Sequence, residues 1–269
     1  MRSGAIEIDL FKCPNRPRVV EKARRQRPVY VHFPLYAGRR VGEVTDLDAI
    51  GERLLKTGTP HVNTRLDPQI EARAGMMGRL FDAIDQTLRD VRTLVAHFDA
   101  ERVVVENAPY YKDRAPDGAM AAEPALIRQV VEETGCGFLL NLAHARLAAQ
   151  SMGMDACLYV SLLPVEAICA LHVAGMPRWA GPLHEPMPMS DEDWDLFNWV
   201  VERIEAGAWG LPRVIAFEYG GVGPWFEART DPAVLARQLS CLQQTIQQLA
   251  GYNGAPVSLN GFAKMLSRP

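Results

Sequence analysis

Short, almost continuously apolar runs alternate along the chain with longer stretches in which apolar residues recur every three or four positions. The short runs are AIEIDL (5–10), PVYVHF (28–33), TPHVNT (59–64), RVVVEN (102–107), GFLLNL (137–142), AICALHV (167–173), RVIAFEY (213–219) and APVSLN (255–260). Runs apolar nearly throughout are what parallel strands need when both sheet faces are covered. The longer stretches predict helices over 15–27, 45–57, 69–98, 123–134, 143–153, 190–206 and 231–250. The second opens at Thr45 ahead of an amphipathic run, and Ser190 followed by Asp193 marks another helix start. The stretch 69–98 repeats Met76, Leu80, Ala83, Ile84, Leu88, Val91, Leu94 and Val95 on one helical face.

Eight strands alternating with helices at this spacing predict an α/β chain folded as a (β/α)8 TIM barrel. No composition shift, low-complexity linker or internal repeat divides it, so one domain over 1–269 is expected. The loops 108–122, 174–189 and 220–230 each follow a strand, which places them at the C-terminal mouth, where barrel sites sit.

Composition narrows the function classes. With 269 residues the chain can bury a large core without disulfides or a structural metal. A net charge of −3 and a pI near 6.1 argue against a nucleic-acid or membrane-surface binder. The one basic stretch, 16–27, reads as the solvated face of the first helix. Five scattered cysteines without a CxxC pair argue against a disulfide framework and a zinc ribbon. No N-terminal apolar segment and no run near the ~18 residues of a membrane span is present, so a cytoplasmic location is expected.

The chemistry lies at the strand ends. Five of the six histidines, His32, His61, His144, His172 and His184, fall at or just past an apolar run, and Glu106 and Glu218 close two more. In a barrel these residues and Asn141 would face one cavity, a ring of nitrogen and oxygen donors suited to zinc, iron or manganese. More than four donors suggests two or more ions bridged by a carboxylate. With only two clear carboxylates, the number of cations held tightly is limited. His97, at a helix end, is set apart as a helix-terminus residue. Asn107 reads equally as a donor beside the site or as a turn residue, and Glu185 as a loop acid or a general base. Tyr110, Tyr111, Trp179 and Trp225 would clamp a substrate, serve a subunit interface or cover the mouth. Cys13 approaches the mouth or is simply buried, burial being the expectation. No separate catalytic acid or base is identifiable.

The phrases VVVENAPYY, ETGCGFLLNLAHARLAA, LPVEAICALHVAGM, HEPMPMSDEDWDLF and VIAFEYGG, in this order, resemble the multinuclear non-haem iron-dependent oxidative enzymes. That family includes the oxidase of methanobactin biosynthesis and relatives that modify ribosomally made peptides. More distantly, the layout is similar to the xylose-isomerase-like barrels, among them endonuclease IV and sugar isomerases. The resemblance implies a barrel holding two or possibly three iron ions, O2 as co-substrate, and a peptide presented by a leader segment or a partner protein. By position it implies His32, His61, Glu106, His144, His172, His184 and Glu218 as ligands.

The chain departs from the family at Asn141, where an Asp is usual, at His144 in place of an Asn, at Met176 in place of a second His, and at Pro182 in place of an Asp. The expected function is a metal-dependent oxidoreductase using O2 on a peptide or other small substrate. The alternative is a divalent-metal sugar isomerase, epimerase or phosphoesterase using zinc or manganese. A third reading is a barrel that only binds a ligand or partner.

Overall fold

The computed structural model describes residues 8–70, 76–112, 116–176, 187–220 and 230–252. Six strands form one parallel sheet in the order β3 (Tyr36–Ala37), β4 (Val62–Leu66), β5 (Val103–Glu106), β6 (Gly137–Asn141), β7 (Ile168–Val173), β8 (Val214–Phe217). Two more, β1 (Phe11–Pro14) and β2 (Val29–His32), form a parallel pair. Side chains join the two sheets. The Asn63 carboxamide accepts from Phe33 N at 2.7 Å and donates to Phe33 O at 2.9 Å, and Thr59 Oγ1 accepts from Val31 N at 3.0 Å. These bonds satisfy buried backbone groups that no strand pairs. At the far side Lys12 of β1 meets Glu218, just past β8.

Helices follow the strands: α1 (Pro17–Arg24), α2 (Val41–Val44), α3 (Leu47–Thr57), α4 (Met76–Phe98), α5 (Pro124–Thr134), α6 (Leu142–Met152), α7 (Ala156–Leu162), α8 (Asp191–Glu205) and α9 (Pro232–Tyr252). Their ends carry the expected signals. Ser190 and Asp193 form a reciprocal capping box on α8, and Gly58 and Gly135 close α3 and α5 in the left-handed conformation. The basic residues of 16–27 are exposed on and after α1.

The strands expected at 28–33, 102–107, 137–142, 167–173 and 213–219 form within a residue or two of those bounds. Two others are displaced. The first strand is Phe11–Pro14 rather than 5–10, because its partner β2 begins only at Val29 and Phe11 pairs with it in register; Asp9 lies outside the strand, exposed. The third begins at Val62 rather than 59, since Pro60 has no N–H to donate and Thr59 spends its hydroxyl on Val31. Helix α3 is capped by Asp46, which accepts from Ala49 N, not by Thr45. The expected strand 255–260 lies outside the described residues. The two-residue β3 and the seven-residue α7 were not anticipated, both being too short to show a period.

Period-two alternation sorts these strands into two faces. Val103, Val105, Phe138, Leu140, Leu171 and Val173 join the main core beneath the helices. Val104, Leu139, Cys169 and Ala170 form a separate small apolar cluster on the other face. A register shift at Phe138/Leu139 lets both Cys169 and Ala170 join it. Continuing the alternation one step along each strand places Glu106, Asn141 and His172 above that cluster. The dry layer beneath therefore supports a polar layer at the C-terminal ends.

Candidate metal centre

Seven of the eight described strands contribute to that polar layer at their C-terminal ends: Lys12 from β1, Tyr30 and His32 from β2, Asn63 and Arg65 from β4, Glu106 from β5, Asn141 from β6, His172 from β7, and Glu218 just past β8. Glu106 is at the centre. It is 2% exposed, with His32 Nε2 at 3.0 Å, Asn141 Nδ2 donating at 3.1 Å, His144 Nδ1 at 3.5 Å, His172 Nδ1 at 3.9 Å and Arg65 Nε at 4.0 Å. Burial by itself would raise its pKa. The surrounding His32, His144 and Arg65 outweigh it and hold the carboxyl well below the usual range, so it is ionised.

Three of the imidazoles are disfavoured as cations. Burial, aided by the nearby Lys12, lowers His172 to about 4. Burial, with His172 and Arg213 adding to it, lowers His61 to about 3. Burial also lowers His144, against the pull of Glu106. A neutral ring with a free lone pair is the form that binds metal.

His32, Glu106 and His172 offer ligand atoms that all lie within 4.8 Å of one another, a group able to hold a metal ion. The hydrogen bonds at His32 test the fit. Its Nε2 is 3.0 Å from Glu106 Oε2 and 3.0 Å from Asn63 Nδ2. Asn63 must point its NH2 there, because its Oδ1 accepts from Phe33 N. A protonated Nε2 would face the amide hydrogens, and a bare Nε2 would face a carboxylate. A cation held by Nε2 and Oε2 would remove the repulsion between a bare nitrogen and the carboxylate, and adjacent donors around an ion at about 2.1 Å stand roughly 3 Å apart. The donor set fits a metal.

The other expected residues occupy distinct places. Asn141 caps α6, its Oδ1 accepting from His144 N at 3.2 Å, while its Nδ2 donates at 3.1 Å to both Glu106 Oε1 and Glu218 Oε2. His144 Nδ1 donates to Asn107 O at 2.9 Å, which sets the tautomer and leaves Nε2 bare. Asn107 clamps the β6 end, donating to Asn141 O at 3.0 Å and accepting from Asn141 N at 2.7 Å. His61 lies deeper, its Nε2 2.9 Å from the Tyr30 hydroxyl, which is 3.4 Å from His172 Nε2. Burial and the carboxylates keep Tyr30 a phenol, its pKa well above 10. His184, Glu185, Pro182, Trp179 and Trp225 lie outside the described residues.

His97 packs edge-on to Phe98 and meets Asp48 at 3.4 Å, on the surface at the end of α4. Cys13 is buried in the main core, and no cysteine of the chain is paired. Tyr110 is buried and Tyr111 half-buried. Four site residues escaped the sequence reading: Lys12, Tyr30, Asn63 and Arg65. The signal for Lys12 was a lone charge in a short β run, hidden because the first strand was expected earlier. Tyr30, Asn63 and Arg65 stand two residues from, or two and four residues past, the marked histidines, the spacing of one strand face.

Residues 79–213, half of the chain, match the profile of a family described as RiPP precursor modification enzyme MbnB/TglH/ChrH. The chain belongs to this family. Among curated proteins it is similar to a UPF0276 protein of Paraburkholderia phytofirmans, 33% identical over 90 residues covering 31% of this chain and 29% of that protein. A UPF0276 protein of Chromobacterium violaceum is 27% identical over 175 residues, covering 62% of this chain and 57% of that one. The chain thus spans less than two thirds of either relative's length.

Among solved structures, a D-tagatose 3-epimerase-like protein superposes with a TM-score of 0.52 at 12% identity, covering 91% of each chain. The D-psicose 3-epimerase of Clostridium cellulolyticum H10 gives 0.51 at 11%, covering 90% of this chain and 89% of that one. These likenesses show the fold: a parallel α/β chain of the barrel type, as the strand–helix alternation predicts.

Proposed function

We propose that this member of the family modifies a ribosomally made precursor peptide with a metal ion held by His32, Glu106 and His172, and that the ion is iron reacting with O2. The observation that carries the reading is the trio itself: the buried His172 and the half-buried His32, the latter within 3.0 Å of both an amide nitrogen and a carboxylate oxygen, around an ionised, buried Glu106. Family membership supplies the peptide, which a partner protein would present. Iron bound there would supply redox chemistry toward O2. The protein's own part is positional. Asn63 and Asn141 aim the ligands, the apolar layer below excludes water, and Arg65, 3.2 Å from the Tyr36 hydroxyl and partly exposed, borders the open side where a substrate approaches. His61, His144 and His184 are further ligands in this proposal, with Asn141 holding Glu106 and Glu218 beside the ion.

The test is elemental analysis of anaerobically purified protein, followed by O2 uptake in the presence of a candidate precursor peptide. Bound iron with peptide-dependent O2 uptake is the expected result. Zinc or manganese with no O2 uptake would replace this reading by a metal-dependent isomerase, epimerase or phosphoesterase. A protein that takes up no metal would end both and leave a binding barrel.

A further inference from the structure

The carboxylate opposite Glu106 already has a cation. Lys12 reaches from β1 across the mouth so that its ammonium pairs with Glu218 Oε1 and lies 3.2 Å from His172 Nδ1. The contact joins residues 206 and 160 positions apart, and Lys12 is only 20% exposed. It is therefore a structural feature of the mouth and not a surface pair. His172 Nδ1 accepts from Lys12, so its Nε2 donates to Tyr30, whose hydroxyl in turn donates to His61 Nε2; the whole chain of bonds has one consistent direction.

A second observation points the same way. Glu106 and Glu218 share Asn141, whose two N–H groups satisfy one oxygen of each. An Asp at that position would bring three carboxylates together and require a further cation; the amide requires none. Among the described residues, the charges of the centre are Glu106 and Glu218 against Lys12 and Arg65, so that one divalent ion already leaves the centre net positive. A second divalent ion would have to displace Lys12 from Glu218 or sit beside it in a poorly screened site, where like charges repel strongly.

We propose that Lys12 fills the second cation position of this centre, so that the chain binds a single metal ion, at His32, Glu106 and His172, with Lys12 retained on Glu218. This rests on the metal reading above and sharpens its stoichiometry. When the ion takes the His172 lone pair, Lys12 gives up that contact and keeps the carboxylate.

The experiment loads full-length protein with excess Zn(II), and separately with Fe(II) under argon, removes free ion by gel filtration, and counts metal per chain. The native protein and Lys12→Arg are expected to retain about one ion, and Lys12→Met and Lys12→Gln about two, because they free Glu218 without adding charge. Adding Glu218→Gln to Lys12→Met is expected to return the count to about one. Two or more ions in the native protein, or one ion in every folded Lys12 variant, would overturn the inference while leaving the metal centre standing. If neither Met nor Gln is tolerated at 12, circular dichroism will show it. The native count and a Lys12→Ala protein then decide by the same criteria. No ion in any of the proteins removes the metal centre and this inference together.

Discussion

Glu106 and Glu218 close neighbouring halves of the same mouth, share one hydrogen-bonding asparagine and face the same histidine, yet they are neutralised in different ways. Glu106 is sealed at 2% exposure among His32, His144, His172 and Arg65, and its nearest partner is the His32 Nε2 at 3.0 Å. Glu218, at 19% exposure, is met by a lysine ammonium. Both carboxyls are held well below the usual range, Glu218 against the opposing effect of burial and chiefly by Lys12. A carboxylate whose nearest neighbours are imidazole nitrogens can be completed by an exogenous cation, whereas one in contact with lysine carries its own. Identical side chains in one cavity thus take different roles from their neighbours alone.

The sharpest way to break this comparison is to neutralise each acid in turn. Glu106→Gln should abolish metal retention and, by leaving Arg65 without its buried partner, cost about 4 kcal/mol in chemical denaturation. Glu218→Gln should cost about 1 kcal/mol and keep the ion, because its pair is partly exposed and screened. Equal losses in the two variants would show that the halves do not differ.

Acid should reveal the neutral histidines next. His172 and His61 titrate at about 4 and about 3 in the folded chain, below the ordinary value of 6.5. As the pH falls below about 6.5, the unfolded chain binds these protons while the folded chain does not. Metal-free protein should therefore lose stability from there down to about pH 4, by an amount on the order of 3 kcal/mol for His172. Urea melts at pH 7, 5.5 and 4.5 check it, and a flat midpoint would mean that these rings are solvated.

A smaller effect is expected at the shared amide. Asn141→Asp should destabilise metal-free protein by about 2 kcal/mol at neutral pH through repulsion among three carboxylates. Added Zn(II) should restore the melting temperature. A variant as stable as the native chain without metal would separate Asn141 from the two acids. At the next ligand out, Asn63→Ala should cost about 1.5 kcal/mol by stranding Phe33 N and O, and lower metal affinity about 10-fold by loosening His32. Unchanged affinity in a chelator competition would detach Asn63 from the centre.

The strand inventory was largely legible because buried parallel strands need unbroken apolar runs, and 28–33, 102–107, 137–142, 167–173 and 213–219 supply them. The errors are where a different force decides: Pro60 and the Thr59 hydroxyl delay β4, and the start of β2 sets that of β1. For the site, the same runs end in His32, Glu106, Asn141 and His172, so a barrel fold necessarily gathers them. That much follows from local chemistry, a polar residue one step beyond an apolar strand on its inward face.

Which of the gathered groups meet a cation, a lysine or an amide was not in any local pattern. Lys12 and Glu218 are 206 residues apart, and Asn141 touches both acids only because β5, β6 and β8 converge. Charge balance in a buried cavity depends on every group within a few ångströms. The sequence by itself determined the strands, the inward positions and the donors at their ends. Only the tertiary structure decided that Glu106 is left facing imidazoles while Glu218 is paired with Lys12, because that depends on distances across the barrel and not along the chain.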